Sequence, residues 1–145
     1  MQSVAVKRLS PDAKLPTYGS QDAAGADLYA CVQEPVTIAP GDAAWISTGI
    51  ALEVPRGCAG LIYARSGLAC KRGLAPANKV GVVDSDYRGE VVVVLHNHSD
   101  QSQTVQPGER IAQLVITPVL TPAYEEVTEL SSSERGAGGF GSTGS

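Results

Sequence analysis

The sequence is poor in aromatic rings, which make up 5% of its 145 residues and include one tryptophan and one phenylalanine. A core must therefore be built from Val, Ile, Leu and Ala. The lone Phe140 sits between glycines near the C-terminal end, outside any apolar run, where it is available to a ligand. Positive charge is also scarce: 11 Lys and Arg against 15 Asp and Glu give a net charge of −4, and Lys7-Arg8 and Lys71-Arg72 are the only adjacent basic pairs. That excludes the basic stripe a nucleic-acid binder needs. No apolar run is long enough for a bilayer, since the stretch from Ile111 is broken by Pro118 and Pro122, and no apolar run follows Lys7-Arg8. Neither a membrane span nor a signal peptide is expected. Cys31, Cys58 and Cys70 are odd in number and lack C-x-x-C spacing, so free thiols in a reducing, cytoplasmic setting are expected.

What the chain does have is a set of short Val-, Ile- and Thr-rich runs separated by turn residues, in a length suited to one domain. Strands are expected over residues 4–9, 26–30, 36–38, 44–54, 59–64, 80–83, 90–97, 104–105, 110–119 and 124–130, with one short helix over 66–72. This is an all-β pattern, read as a jelly roll or β-sandwich over residues 1–130, followed by a mobile, glycine-rich tail over 131–145. Val91 to Leu95 and Ile111 to Ile116 are apolar at odd and even positions alike, which predicts that both faces are covered and points to an oligomer.

Five segments carry chemistry. The tail from Arg135 to Gly144 combines one fixed cation, five glycines, the hydroxyls of Ser142 and Thr143, and the Phe140 ring. Glycines admit phosphate oxygens close to backbone amides, Arg135 adds a forked charge, and a ring can stack on a base. The lysine of a Walker loop is missing. In Arg65-Ser66-Gly67 a strand runs into the helix, and a capping Ser66 would leave amides beside the Arg65 guanidinium, as a phosphate site requires; an ordinary cap beside a surface arginine is the plain alternative.

The stretch from Asn78 through Gly81-Val82-Val83-Asp84 to Tyr87 and Gly89 reads as a β-hairpin whose connection lies near 87–89. Asp84 ends an apolar run, where it is either a turn residue or a base held against a water. Gln113 is the one polar side chain within an apolar strand, so its amide should meet a backbone group or a ligand. Asp27, flanked by small and apolar residues, calls for a metal or a cation.

These five segments, in this order, resemble the five motifs of the trimeric dUTP diphosphatase (dUTPase) family, most closely in R-G-x-G-G-F-G-S-T-G and G-V-V-D-S-D-Y-R-G-E. Ala64, in place of a commoner proline, and Val82-Val83, in place of Val/Leu-Ile, are small departures that remove no functional group. The resemblance implies a jelly roll of the β-clip barrel type and a homotrimer with shared active sites. It implies hydrolysis of dUTP to dUMP and pyrophosphate, limiting uracil in DNA and supplying dUMP for thymidylate synthesis.

Asp84 would activate the attacking water, while Arg65, Ser66, Gly67 and Gln113 bind phosphates and Asp27 holds a water of a substrate-bound Mg²⁺. Backbone around Gly81, Val82, Val83 and Val92 would read uracil, Tyr87 would pack on the deoxyribose, and Asn78 would support the nucleoside. Phe140 would stack on the base from a neighbour's tail, with Arg135, Gly141, Ser142 and Thr143 on the terminal phosphate. Two competing readings are a dCTP deaminase of related fold, against which the absence of a zinc-deaminase signature counts, and a catalytically silent nucleotide- or protein-binding module.

Overall fold

The computed structural model describes residues 2–141, and within them the chain is built almost wholly of short antiparallel strands. They are β1 (Ala5–Arg8), β2 (Thr17–Tyr18), β3 (Ala26–Tyr29), β4 (Val36–Ile38), β5 (Ala43–Ser47), β6 (Ile50–Glu53), β7 (Cys58–Tyr63), β8 (Leu74–Pro76), β9 (Gly81–Val83), β10 (Val92–Asn97), β11 (Gln103–Val105) and β12 (Arg110–Pro118), with helix α1 (Ser66–Arg72) between β7 and β8. A five-stranded sheet runs β2-β3-β12-β7-β9, a three-stranded sheet runs β5-β10-β8, and the pairs β1-β6 and β4-β11 complete an all-β, jelly-roll-like fold whose sheets do not close into a barrel.

Branched aliphatics at alternate positions make the core. Val91, Val93 and Leu95 point inward while Val92 and Val94 are half-buried, and Leu28, Ile38, Ile46, Ile50, Leu74, Val105 and Ile111 are almost fully enclosed with them. Two polar side chains share this interior. Asn97 is satisfied on every side: its amide nitrogen donates to Ile38 O (2.9 Å) and Gln101 O (2.7 Å), and its oxygen accepts from the Ser99 amide (2.9 Å) and hydroxyl (2.7 Å). Thr48 donates to the Val91 carbonyl, and Gly49 N donates to Glu90 Oε2 at 2.9 Å, so the turn between β5 and β6 is fastened to the segment entering β10.

Three expectations need correction. The run expected over 44–54 is two strands, because Gly49 at φ 70° turns the chain after Ser47. The apolar continuity of Ile111 and Ala112 comes partly from a bulge, as the register against β3 shifts between Arg110 and Ala112 and leaves both neighbours buried. Residues 124–130 form no strand: after Pro118 the chain leaves the sheet, and residues 119–137 are exposed and belong to no strand. The two-residue β2 and Pro76-containing β8 were not expected, being too short or too irregular to show a period.

Candidate active site

Two of the chemical segments meet because of sheet register. Gln113 on β12 lies opposite Asp27 on β3 and Tyr63 on β7, so these three residues share one face of the five-stranded sheet. Two residues beyond Tyr63, Arg65 turns the chain into α1, and its Nε meets Asp27 Oδ1 at 3.0 Å. Arg110 approaches the other carboxylate oxygen at 3.6 Å. The cation expected near Asp27 is thus supplied by two arginines. Gln113 donates from Nε2 to Ala64 O at 2.8 Å, the backbone partner its position demanded. Asp27, Arg65, Ser66, Gly67, Arg110 and Gln113 line one open cleft of about 350 Å³.

The local reading of Ser66 changes. Arg65, extended at φ −87° and ψ 130°, is the residue that flanks the helix start, and no side chain caps it; Ser66 is already helical. Ser66 and Gly67 are nonetheless exposed into the cleft. The far end of α1 is fixed by Gly73, whose φ of 69° and close approach to Ser99 suit only a residue without a side chain. Arg72, from the last turn, binds Glu109 and the Thr104 carbonyl, tying the helix to the turn before β12.

The remaining core segment forms a second cleft of about 290 Å³ between the edges of the two larger sheets, lined by Asn78, Gly81, Val82, Val83, Asp84, Tyr87, Val91 and Val92, with Trp45, Ile62 and Glu90. The hairpin expected here is not a paired one. β9 pairs with β7 and β10 pairs with β5 and β8, so the chain from Asp84 to Val91 crosses from one sheet to the other. The consequence is chemical: β9 is an edge strand, and the backbone edge it does not give to β7 faces no neighbouring strand. Tyr87 N donates to Asp84 O (3.1 Å) and Tyr87 Oη donates to Glu90 O (2.7 Å), which closes the turn and leaves Asp84 exposed.

The described residues of the tail line neither cleft. Arg135 Nε donates to Gly138 O at 2.5 Å within a run of turns over 133–141, Phe140 is fully exposed, and Gly141 follows at φ 82°. Ser142 and Thr143 lie outside the described residues. No residue lines more than one of the two clefts and the tail pocket. Each cleft sits near the lower end of the roughly 300–1,000 Å³ usual for small-molecule sites.

The dUTPase family model matches residues 11–144. The chain belongs to the dUTPase family. A deoxyuridine 5'-triphosphate nucleotidohydrolase of Syntrophotalea carbinolica is 48% identical over 142 residues, covering 98% of this chain and 97% of that one. Among solved structures, the dUTPase of Staphylococcus bacteriophage 80alpha with dUPNHPP superposes with a TM-score of 0.89 at 32% identity, covering 100% of both chains. A dUTPase of phage phi11 of S. aureus, described as coordinating a structural Mg(II) ion, gives a TM-score of 0.81 at 26% identity, over 90% of this chain and all of the other.

Against this dUTPase fold, sequence reading missed Arg110, Gly25 and Trp45. Gly25 matters because a Cβ there would stand 2.6 Å from Gln113 Oε1. Arg110 reaches Asp27 only through the pairing of β12 with β3, which no feature of the sequence announces. The other two are visible only once strands are placed side by side. Two grooves along β1, with Val6 and Leu52 in common, hold apolar walls and the Arg88–Glu53 pair at 3.7 Å and bring together no comparable polar set.

Proposed function

We propose that the chain hydrolyses dUTP to dUMP and pyrophosphate at sites assembled from more than one copy of itself. The carrying observation is that one chain holds its nucleoside-type cleft, its phosphate-type cleft and its Arg135–Phe140 tail with no lining residue in common. A homotrimer whose subunits exchange tails joins the pieces. The arm carrying Leu120, Tyr124 and Leu130, 88 to 96% exposed, supports such an assembly, because that much apolar surface suits a partner chain.

In the nucleoside cleft the open backbone edge of β9, from Gly81 to Val83, with Val92 across from it, offers fixed donors and acceptors to the pairing edge of uracil. Cytosine presents a donor where uracil presents an acceptor, so the same amide rejects it. Tyr87, held by Glu90 O, presents its ring to the deoxyribose and disfavours a 2′-hydroxyl, and Asn78 supports the nucleoside. In the phosphate cleft Arg65, Ser66, Gly67 and Gln113 take the triphosphate oxygens.

Asp84 accepts a proton from the water that attacks the α-phosphorus. The new oxygen–phosphorus bond forms as the α–β bridge breaks, and pyrophosphate leaves with its bridging electron pair. The neighbour's Phe140 stacks on the base while Arg135, Gly141, Ser142 and Thr143 close over the terminal phosphate and exclude bulk water.

The donor set suits Mg²⁺ carried by the substrate. Among the described residues no three carboxylate, His or Cys groups converge on one point, so a protein cage is lacking, but Asp27 keeps oxygen lone pairs beyond its two arginines and can hold a metal-bound water. Such an ion neutralises and orients the phosphate chain when bound. Three unpaired cysteines, with Cys70 exposed, support a reducing, cytoplasmic setting.

Pyrophosphate release across dUTP, dCTP, dTTP and UTP tests the substrate, with release confined to dUTP expected and deamination or equal release from dCTP contradicting it. Replacing Asp84 with Asn should lower kcat by roughly 10²- to 10⁴-fold with little change in dUMP affinity. A near-normal kcat removes Asp84 from the role of base.

A further inference from the structure

The only tryptophan of the chain has no assigned role, yet it stands at the nucleoside cleft. β5 alternates, with Ile46 fully buried and Trp45 turned outward at 79% exposure. Register fixes what lies beside it. Trp45 is opposite Val94, and Ser47 is opposite Val92, so the indole shares the outer face of the three-stranded sheet with the valine that lines the cleft. Across the gap, the five-stranded sheet and the crossing segment present Val82 at 61% and Tyr87 at 46% exposure. The cleft therefore has an indole on one wall and a phenol ring on the other, in a chain with few aromatic residues.

An indole carries a large apolar face, and one left in water beside a cleft gains most when a flat, partly apolar ligand covers it. We propose that Trp45 is a nucleoside-binding residue, packing against the sugar–base part of the substrate from the β5 side and adding affinity without taking part in bond breaking. The inference rests on the assignment of this cleft to the nucleoside. Asp27, Arg65 and Gln113 belong to the other cleft, so the phosphate chain should be indifferent to Trp45.

Because Trp45 is the single tryptophan, indole emission reads this one position. Titrating the full chain with dUMP should change the emission saturably, with the same midpoint as calorimetric binding, and should protect the indole from acrylamide; inorganic pyrophosphate should do neither. Trp45→Ala should raise the KM for dUTP on the order of fivefold with kcat within about twofold, and Trp45→Phe should recover most of the loss.

The cleft assignment itself is checked by Asn78→Ala, which should weaken dUMP in calorimetry. If Asn78→Ala weakens dUMP while the emission of the parent chain ignores it, the Trp45 proposal fails and the cleft stands. If Asn78→Ala leaves dUMP binding unchanged, the cleft assignment fails, and the proposal with it. A Trp45→Ala variant that folds and keeps the parent KM also overturns the proposal.

Discussion

A single methyl group at Gly25, a residue given no contact with substrate, should damage the phosphate cleft by displacing Gln113. The glycine is buried, and a Cβ built on it would lie 2.6 Å from Oε1, 3.1 Å from Cβ and 3.2 Å from Cδ of Gln113. The oxygen alone could swing away, but the side chain is also crowded near its root, so the whole amide must move. Its 2.8 Å bond to Ala64 O is then lost or strained.

Losing one such bond costs about 1 kcal/mol, and overpacking adds roughly 1–3 kcal/mol. A 145-residue domain should then melt lower by roughly 4–16 °C. If Gln113 also binds a charged phosphate oxygen, kcat/KM for dUTP should fall on the order of tenfold or more.

The assays are thermal unfolding and pyrophosphate release on Gly25→Ala, on Gln113→Ala and on the double variant. In the double variant the clash is gone, so Tm should rise above that of Gly25→Ala while kcat/KM stays low. Full activity in Gly25→Ala despite a lowered Tm would refute the role of Gln113 at the phosphates. An unchanged Tm and an unchanged kcat/KM together would refute the steric argument.

Asn97→Ala removes four hydrogen bonds and takes from the Ile38 carbonyl and the Ser99 amide the side-chain partner they have, while Gln101 O keeps the Ser99 hydroxyl, so Tm should drop by about 8 °C or more, with activity of the folded fraction at 25 °C little changed. A change in KM larger than the change in stability would contradict its purely structural reading. Removing residues 131–145 should leave the oligomer intact by sedimentation and lower kcat/KM for dUTP on the order of a hundredfold. A truncated chain with full activity would contradict the closing role of the tail.

Much of this was legible in the sequence because period and punctuation coincide. Strand 36–38 and the approximate ends of β7, β9 and β12 follow from short branched runs bounded by Gly, Pro and Asn, and helix 66–72 from a stretch that lacks β-branched residues and ends at Gly73. What sequence missed depends on neighbours. Ser66 looks like a cap by type, but Arg65 occupies the flanking position. The 78–91 stretch has the pattern of a hairpin, yet its two strands join different sheets, β9 pairing with β7 and β10 with β5 and β8. Residues 124–130 have strand composition but pair with none of the described strands.

Asp27 and Gln113 stand out as polar residues in apolar company, which sequence can flag; that Arg65, Arg110 and Gly25 complete their surroundings is a matter of register. Trp45 carries no motif at all and is placed at the cleft only by the pairing of β5 with β10.

The most direct test of a site divided between chains uses two inactive forms, Asp84→Asn with its tail and a tail-less chain with Asp84. Mixed under conditions that exchange subunits, with mixed trimers verified by mass, they should recover about a quarter of parental turnover by random assembly, since half the sites have Asp84 and half of those meet an intact neighbouring tail. No recovery in verified mixed trimers would mean that each tail closes over its own chain's site, contrary to the divided site proposed here.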